Sequence, residues 1–316
     1  MCTFNGGQFL NEQLQSIAMQ DRLPDELIVC DDRSTDRTVA IVADFAVRAP
    51  FPVHVLVNEA RLGTSKNFER AIRLAEGEII ALADQDDVWD RRKLGLPESM
   101  FSRRPSLGLV FTDAELVDET LSPEGGTLWE AVGFGAARQK LMSAGRGLDV
   151  LLANNVVTGA TMAFRARYRD PILPIPTEGS LYHDGWIALI VAALAEIGFI
   201  DEPLIKYRQH RAQQMGAPKI APVQNVIKAK RTDRNYYLGQ AARFQQAWER
   251  LDTNPGQRPD PKALSAVADK IVHLHARAMM PTRRLRRLPL VVKEIVNSHY
   301  HQYSRGLFRA AKDLLV

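Results

Sequence analysis

The chain has 316 residues, 46% hydrophobic and 25% charged, with a net charge of +4; that is enough to bury a large core, and no apolar stretch is long enough to span a bilayer. Cys2 and Cys30 are too few for a disulfide framework and have no metal-ligand spacing, which fits a reducing compartment. The positive charge is clustered late in the chain, in Lys228-Ala229-Lys230-Arg231 and Arg283-Arg284-Leu285-Arg286-Arg287. Such clusters suit an anionic membrane surface, nucleic acid or plain solubility. The N-terminus has no charged-then-apolar signal pattern, so a cytoplasmic location is expected, with peripheral contact on the inner face of the cell membrane.

Leu10, Leu14 and Ile17 fall at helical spacing. Leu27-Ile28-Val29-Cys30 is a short apolar strand running into Asp31-Asp32, after which Ser34 reads as the N-cap of a helix carrying Val39, Val42 and Ala46. Val53–Val57 is predicted as a strand, Phe68, Ala71, Ile72 and Ala75 as a helix face, and the apolar run from Ile79 as a strand. A helix over Arg92–Phe101 and a strand over Leu107–Phe111 follow. The glycines of 116–150 predict loops. Thr161–Phe164 reads as a strand, Pro171, Pro174 and Pro176 as a rigid loop, and Gly185–Ala195 as a helix. Strands at Phe199-Ile200 and Leu204–Tyr207 follow. Beyond about residue 216 strand signals vanish, and basic helical stretches separate at a linker over Pro255–Pro261. This alternation predicts an α/β fold: a mainly parallel sheet with helices on both faces over 1–215, and a basic, mainly helical region over 216–316.

The chemistry lies at the strand ends. Leu82-Ala83-Asp84-Gln85-Asp86-Asp87-Val88-Trp89 puts three carboxylates within four residues, directly after a buried strand. In an open α/β sheet the C-terminal strand edge is where ligands bind. Like charges so close call for a compensating cation, and oxygen ligands suit Mg²⁺ or Mn²⁺ shared with a substrate phosphate. A solvated acidic turn with a helix cap is the alternative. Asp31-Asp32 ends another strand of the same edge, and a carboxylate there is able to accept hydrogen bonds from a nucleobase or ribose. Capping alone needs only Ser34 and Asp36. A third acidic site, His183-Asp184, follows a loop.

The order of these motifs resembles the inverting, nucleotide-sugar-dependent glycosyltransferases of family two, with the GT-A fold. The resemblance is carried by Cys2-Thr3-Phe4-Asn5-Gly6, Gln13-Leu14 to Gln20, Asp31-Asp32-Arg33-Ser34-Thr35-Asp36, Asn58 to Gly63 with Asn67, and Asp84-Gln85-Asp86-Asp87-Val88-Trp89 with Lys93-Leu94. Thr158–Phe164, His183-Asp184-Gly185-Trp186 and Tyr207-Arg208-Gln209-His210 resemble segments of the bacterial rhamnosyltransferase-like branch, as Tyr300–Gly306 with Lys312-Asp313-Leu314 does more loosely. The likeness covers roughly residues 1–215.

It implies that Thr3 and Asp32 hold the nucleoside, that Arg61 reaches the base or phosphates, and that Asp84 faces the ribose. It further implies Asp86 as metal ligand, with Asp87 an alternative, and Asp184 as the general base that deprotonates the acceptor hydroxyl. The implied reaction is a single, inverting displacement that moves a sugar, L-rhamnose by the branch resemblance, from a nucleoside diphosphate to a polysaccharide or polyprenyl-linked glycan of the cell envelope. His210 reads either as a metal or phosphate ligand or as a structural histidine, Trp186 as an acceptor platform or as packing, and His183 as a packed core side chain.

Two departures stand out. Relatives carry a buried strand before the Cys-Thr-Phe-Asn segment, whereas here Met1 precedes it directly. The expectation is a misassigned start, the alternative an inactive, N-terminally truncated homologue. Gly185 stands where related sequences often have a bulky residue, which would widen the acceptor side. A metal-dependent nucleotidyltransferase would need a Gly-rich phosphate loop, which Asn5-Gly6-Gly7-Gln8 serves poorly, and a haloacid-dehalogenase-type phosphatase a nucleophilic Asp on the first strand. Nucleic acid is not expected as a partner, since few aromatics lie among the basic residues of the tail.

Overall fold

The computed structural model describes residues 1–177, 182–211, 213, 216, 234–254, 256–304 and 306–315. Strands β1 (Cys2–Thr3), β2 (Leu27–Asp31) and β3 (Val53–Val57) pair in parallel in that order, with Cys2 opposite Cys30 and Leu27 opposite Val53. β2 is buried along its whole length because its alternating side chains serve two layers. Leu27 and Val29 pack with Leu10, Leu14, Ile17, Val42 and Phe45, while Ile28 and Cys30 pack with Phe68, Ala71 and Ile72.

The remaining strands are β4 (Ile79–Ala81), β5 (Val88–Trp89), β6 (Leu107–Val117), β7 (Pro123–Thr127), β8 (Met162–Arg165) and β9 (Glu196–Arg208). They form a second sheet in the order β4-β8-β6-β9-β5, with β7 on β6. Only β6 and β9 run parallel here; the other pairs are antiparallel. β9 continues through Pro203 where two strands were expected. Proline has no N–H for the ladder, and the pairing with β6 jumps there from Thr112–Ile200 to Asp113–Pro203.

β1 holds only two residues, and the two sheets are not hydrogen-bonded to each other among the described residues. A cavity of about 320 Å³ lies between β2 and β4, lined by Leu27, Ile28, Ile79, Ile80, Phe68 and the buried Lys93. Lys93 is held by donating to the Thr161 carbonyl at 2.6 Å, and burial pushes its ammonium down to about 7.

Three local expectations are corrected. Ser34 is no cap: its amide and hydroxyl both donate to Asp31, and the helix starts only at Thr38, whose amide and hydroxyl donate to Asp36. The 116–150 stretch is not loop but holds β7 and short helices at Leu128–Val132, Ala136–Ser143 and Gly147–Ala153. Its glycines sit between these elements, Gly133 as a left-handed C-cap. Pro171 belongs to a short helix, Arg169–Ile172.

The late helices Arg234–Thr253 and Pro261–Ala278 form the expected helical C-terminal region and pack on the α/β core. Tyr237, Phe244, Leu251, Val267 and Leu274 belong to the same apolar cluster as Ile187 and Ile190 of the His183–Leu194 helix. Lys228–Arg231, Pro255 and Arg305 lie outside the described residues. No described helix is long and apolar enough to cross a membrane.

Candidate active site

Two loops at the C-terminal ends of β1 and β2 are stitched together. Thr3 donates its hydroxyl to Asp31 at 2.7 Å, Asn5 donates its amide to Ser34 Oγ at 2.8 Å, and Thr35 donates its amide to Asn5 Oδ1 at 2.8 Å. Asp32 lies beside them, buried, and accepts from Asn58 Nδ2 at 2.9 Å and from the amides of Leu62 and Gly63 at 2.6 and 2.9 Å. The side-chain oxygens of Thr3 and Asp32 are thus engaged within the protein, Thr3 with Asp31 and Asp32 with the turn that presents Arg61. Arg61 is exposed, its guanidinium 3.8 Å from the Phe4 ring centroid and 4.0 Å from Asp32.

The β4–β5 loop meets this rim. Gln85 Oε1 accepts from the Phe4 amide at 2.9 Å and Gln85 Nε2 donates to the Phe4 carbonyl at 3.1 Å, while Gln13 donates to the Asp84 carbonyl at 3.1 Å. A side chain at Gly6 would place its Cβ 2.2 Å from Gln85 Oε1, so this approach requires glycine. Asp86 Oδ2 lies 2.8 Å from His210 Nε2, just beyond the end of β9. Asp87 is fully buried, with one oxygen accepting from the Arg208 amide at 3.2 Å and the other without a hydrogen bond.

The charges of these carboxylates act on one another. Burial first, then Asp86 and Asp184, push Asp84 up to about 7. Asp87 is raised by burial and by Asp86 and Asp84, against the opposing pull of Arg208. The buried Tyr207 phenol is raised by burial and then by Asp87, Asp84, Asp86 and Asp184 together. Asp184 itself stands in the first turn of the His183–Leu194 helix, accepting from the Gly185 amide at 2.6 Å. Burial lifts it to about 6, offset by the Gly185 and Gly159 amides. The acids of the β4–β5 loop therefore lie near Asp184, although about a hundred residues separate them in the chain.

His183 and Trp186 belong to the core. His183 stacks on Phe68 at 4.1 Å between centroids, neither ring nitrogen finds a partner, and burial drives it down to about 3, so it stays neutral. The expectation of Trp186 as an acceptor platform is corrected: its ring is 1% exposed and its N–H is satisfied by the Ile172 carbonyl at 2.8 Å. A ring closed off on both faces has no surface for a sugar.

The donor set fits a divalent cation. Asp86 offers a carboxylate and His210 an imidazole within hydrogen-bond reach of each other, and Asp87 keeps a buried oxygen without a donor. Hard oxygen ligands with one imidazole suit Mg²⁺ or Mn²⁺, and two protein ligands leave room for phosphate oxygens. The crowding of negative charge has a stability consequence. Because Asp84 binds its proton more tightly folded than unfolded, its ionised form costs stability above about pH 7. That cost fades as pH falls through about 7 and is gone below the unfolded value of about 3.9. In chelator-treated protein, Asp84→Asn is expected to raise Tm by roughly 2–4 °C at pH 8 and by little at pH 4. An equal shift at both pH values, or a fall at pH 8, would contradict it.

Arg208 carried no separate role in the sequence reading, yet it anchors the acidic loop. Its buried guanidinium donates to the carbonyls of Asp86 at 2.7 Å and Glu119 at 2.5 Å and pairs with Glu12, while lying 4.4 Å from the Phe9 ring centroid. Only its place beside Tyr207 and His210 in one motif hinted at it; the partners at Glu12 and Glu119 come from distant parts of the chain.

Residues 1–96 match the Glycosyl transferase family 2 model. The dTDP-rhamnosyl transferase RfbG of Shigella flexneri is 35% identical over 98 residues, 30% of this chain and 34% of that protein. The chain spans 57% of the length of an uncharacterised Mycobacterium tuberculosis protein that it matches at 26% identity over 212 residues, 66% of this chain. TarS of Staphylococcus aureus, residues 1–349 solved with UDP-GlcNAc, superposes with a TM-score of 0.58 at 17% identity, covering 87% of this chain and 70% of that one. The mannosyltransferase PcManGT of Pyrobaculum calidifontis, solved with GDP-Man and Mn²⁺, gives 0.51 at 17% identity over 93% of this chain and 73% of that one. The fold is accordingly of the GT-A type, extended by a helical C-terminal region.

Proposed function

We propose that this protein is an inverting glycosyltransferase that moves a sugar from a nucleoside diphosphate to a hydroxyl of a glycan or lipid-linked acceptor. The observation that supports the reading is the gathering of Asp84, Asp86 and His210 near Asp184, on the same edge where Arg61 lies over the Phe4 ring. The family match over residues 1–96 supports it.

The roles follow from what each group is able to do. Asp86 and His210 would hold the cation, with Asp87 an alternative ligand; when bound, such an ion would supply positive charge against the charge developing on a departing diphosphate. Thr3 and Asp32 hold the nucleoside side of the donor, Asp32 by way of the turn it anchors, and Arg61 reaches over Phe4 towards the base or phosphates. Asp84 faces the donor's ribose, where its raised affinity for a proton suits a group that hydrogen-bonds hydroxyls. Asp184 accepts the proton of the acceptor hydroxyl as that oxygen attacks the anomeric carbon from the side opposite the diphosphate, so the configuration inverts. A carboxylate lifted to about 6 is a stronger base than a free one and is still mostly ionised at neutral pH. The relative RfbG, a dTDP-rhamnosyl transferase by name, favours dTDP-L-rhamnose as the first donor to test.

The test is turnover of a nucleoside diphosphate-sugar panel with Mn²⁺ or Mg²⁺ and a hydroxyl acceptor, with the product anomer read by NMR. Release of nucleoside diphosphate with inverted product is expected. Pyrophosphate release from a nucleoside triphosphate and a sugar phosphate, with no donor turned over, would replace this reading with a nucleotidyltransferase.

A further inference from the structure

We infer that the C-terminal helices form a docking surface for an anionic lipid bilayer. The helix Leu288–Val296 buries Val291 and Glu294 and leaves Leu288, Val292 and Val296 exposed, the last 75% exposed. Their spacing of four places all three along one stripe of the helix. Leu285, 89% exposed, sits on the short 3-10 turn Arg284–Arg287 just before it, and Leu307 and Phe308 are more than half exposed on the neighbouring helix Gly306–Leu315. Solvated aliphatic stripes of this kind are unfavourable in water and favourable at the headgroup boundary.

Charge selects the occupant. Arg283, Arg284, Arg286 and Lys293 are exposed beside the stripe, and none is ion-paired among the described residues. Arg287 differs, being buried and donating to the carbonyls of Pro281, Thr282 and Asp313, so it braces the turn instead of facing out. Glu294 is the only carboxylate in the sequence between Met279 and Lys312. It is turned inward, accepting from His273 Nδ1 at 2.6 Å and His299 Nδ1 at 3.0 Å. The surface is therefore basic and aliphatic with no exposed acid on that stretch. Apart from Phe308, the exposed apolar side chains here are leucines and valines, which suit acyl chains better than they suit stacked bases.

This surface is independent of the donor-side reading, since neither its residues nor its contacts touch the carboxylate rim. The full chain is tested by flotation with mixed phosphatidylcholine and phosphatidylglycerol vesicles, against pure phosphatidylcholine vesicles and a DNA duplex. Two variants change only exposed positions: Arg283→Glu with Arg284→Glu and Arg286→Glu, and Leu285→Ser with Leu288→Ser and Val296→Ser. Binding to anionic vesicles that weakens with salt is expected, with a roughly hundredfold loss in the charge variant and about tenfold in the aliphatic one. Unchanged binding by either folded variant, equal binding to neutral vesicles, or a preference for DNA would overturn the proposal.

Discussion

Asp184→Asn is expected to lower kcat by roughly 10²–10⁴-fold while leaving the KM for the donor near its original value. Asn keeps the size of the side chain and retains an oxygen for the Gly185 amide, so the helix start survives and only the proton acceptor is lost. The pH dependence supplies a second readout. With Asp184 lifted to about 6, the ionised base is lost as pH falls through about 6, so kcat/KM of the unaltered enzyme drops about tenfold per unit below that point. The Asn variant should have no such limb. A variant with full turnover, or one that keeps the acidic limb, would remove Asp184 from the role of base. His183 does not compete for that role: a neutral imidazole stacked on Phe68 and driven down to about 3 has no proton affinity to offer at neutral pH.

Asp86→Ala is expected to cost about 10²–10³-fold in turnover, the range associated with losing one stabilising group for a developing anion, and to leave residual activity indifferent to chelator. His210→Ala removes the imidazole 2.8 Å from the same carboxylate. It is expected to raise the Mn²⁺ concentration needed for half-maximal rate by about 10–100-fold while leaving the rate at saturating Mn²⁺ closer to normal. The contrast separates a ligand from a structural histidine. If His210→Ala instead lowers Tm with no change in metal requirement, the side chain serves the fold through Asp86 and its contact with Phe9, whose ring centroid lies 4.8 Å away. If Asp86→Ala turns over normally, the metal reading falls with it.

Much of this site was legible in the sequence because the relevant signals are local. An apolar run ended by acids declares a strand end, and two such runs, at Leu27–Asp32 and Ile79–Asp87, are expected to share an edge in one parallel sheet; in the fold their strands belong to two sheets, and the loops after them are joined instead by Gln85 bonding to Phe4. The apolar helix over Gly185–Ala195 was likewise visible, but Asp184 was expected just before it, and it stands instead in the first turn of the His183–Leu194 helix. What misled were places where a side chain's local option lost to a distant partner. Ser34 looks like a cap by spacing, yet Asp31 takes both its donors. Trp186 beside a base looks like a platform, yet the apolar helix around it turns the ring inward and the Ile172 carbonyl closes the only polar edge.

By itself, then, the sequence determined the strand-end acids, the order of motifs that resembles the family-two glycosyltransferases, and the basic, acid-poor character of the last helices. These depend on residue type and short spacing, which survive any arrangement in space. Only the tertiary structure decided which acids feel one another, that Arg208 clamps the acidic loop from the far end of β9, and that Glu294 is hidden between two histidines. Those outcomes depend on burial and on contacts across most of the chain, where the cost of a stranded charge is set by neighbours that no local window contains.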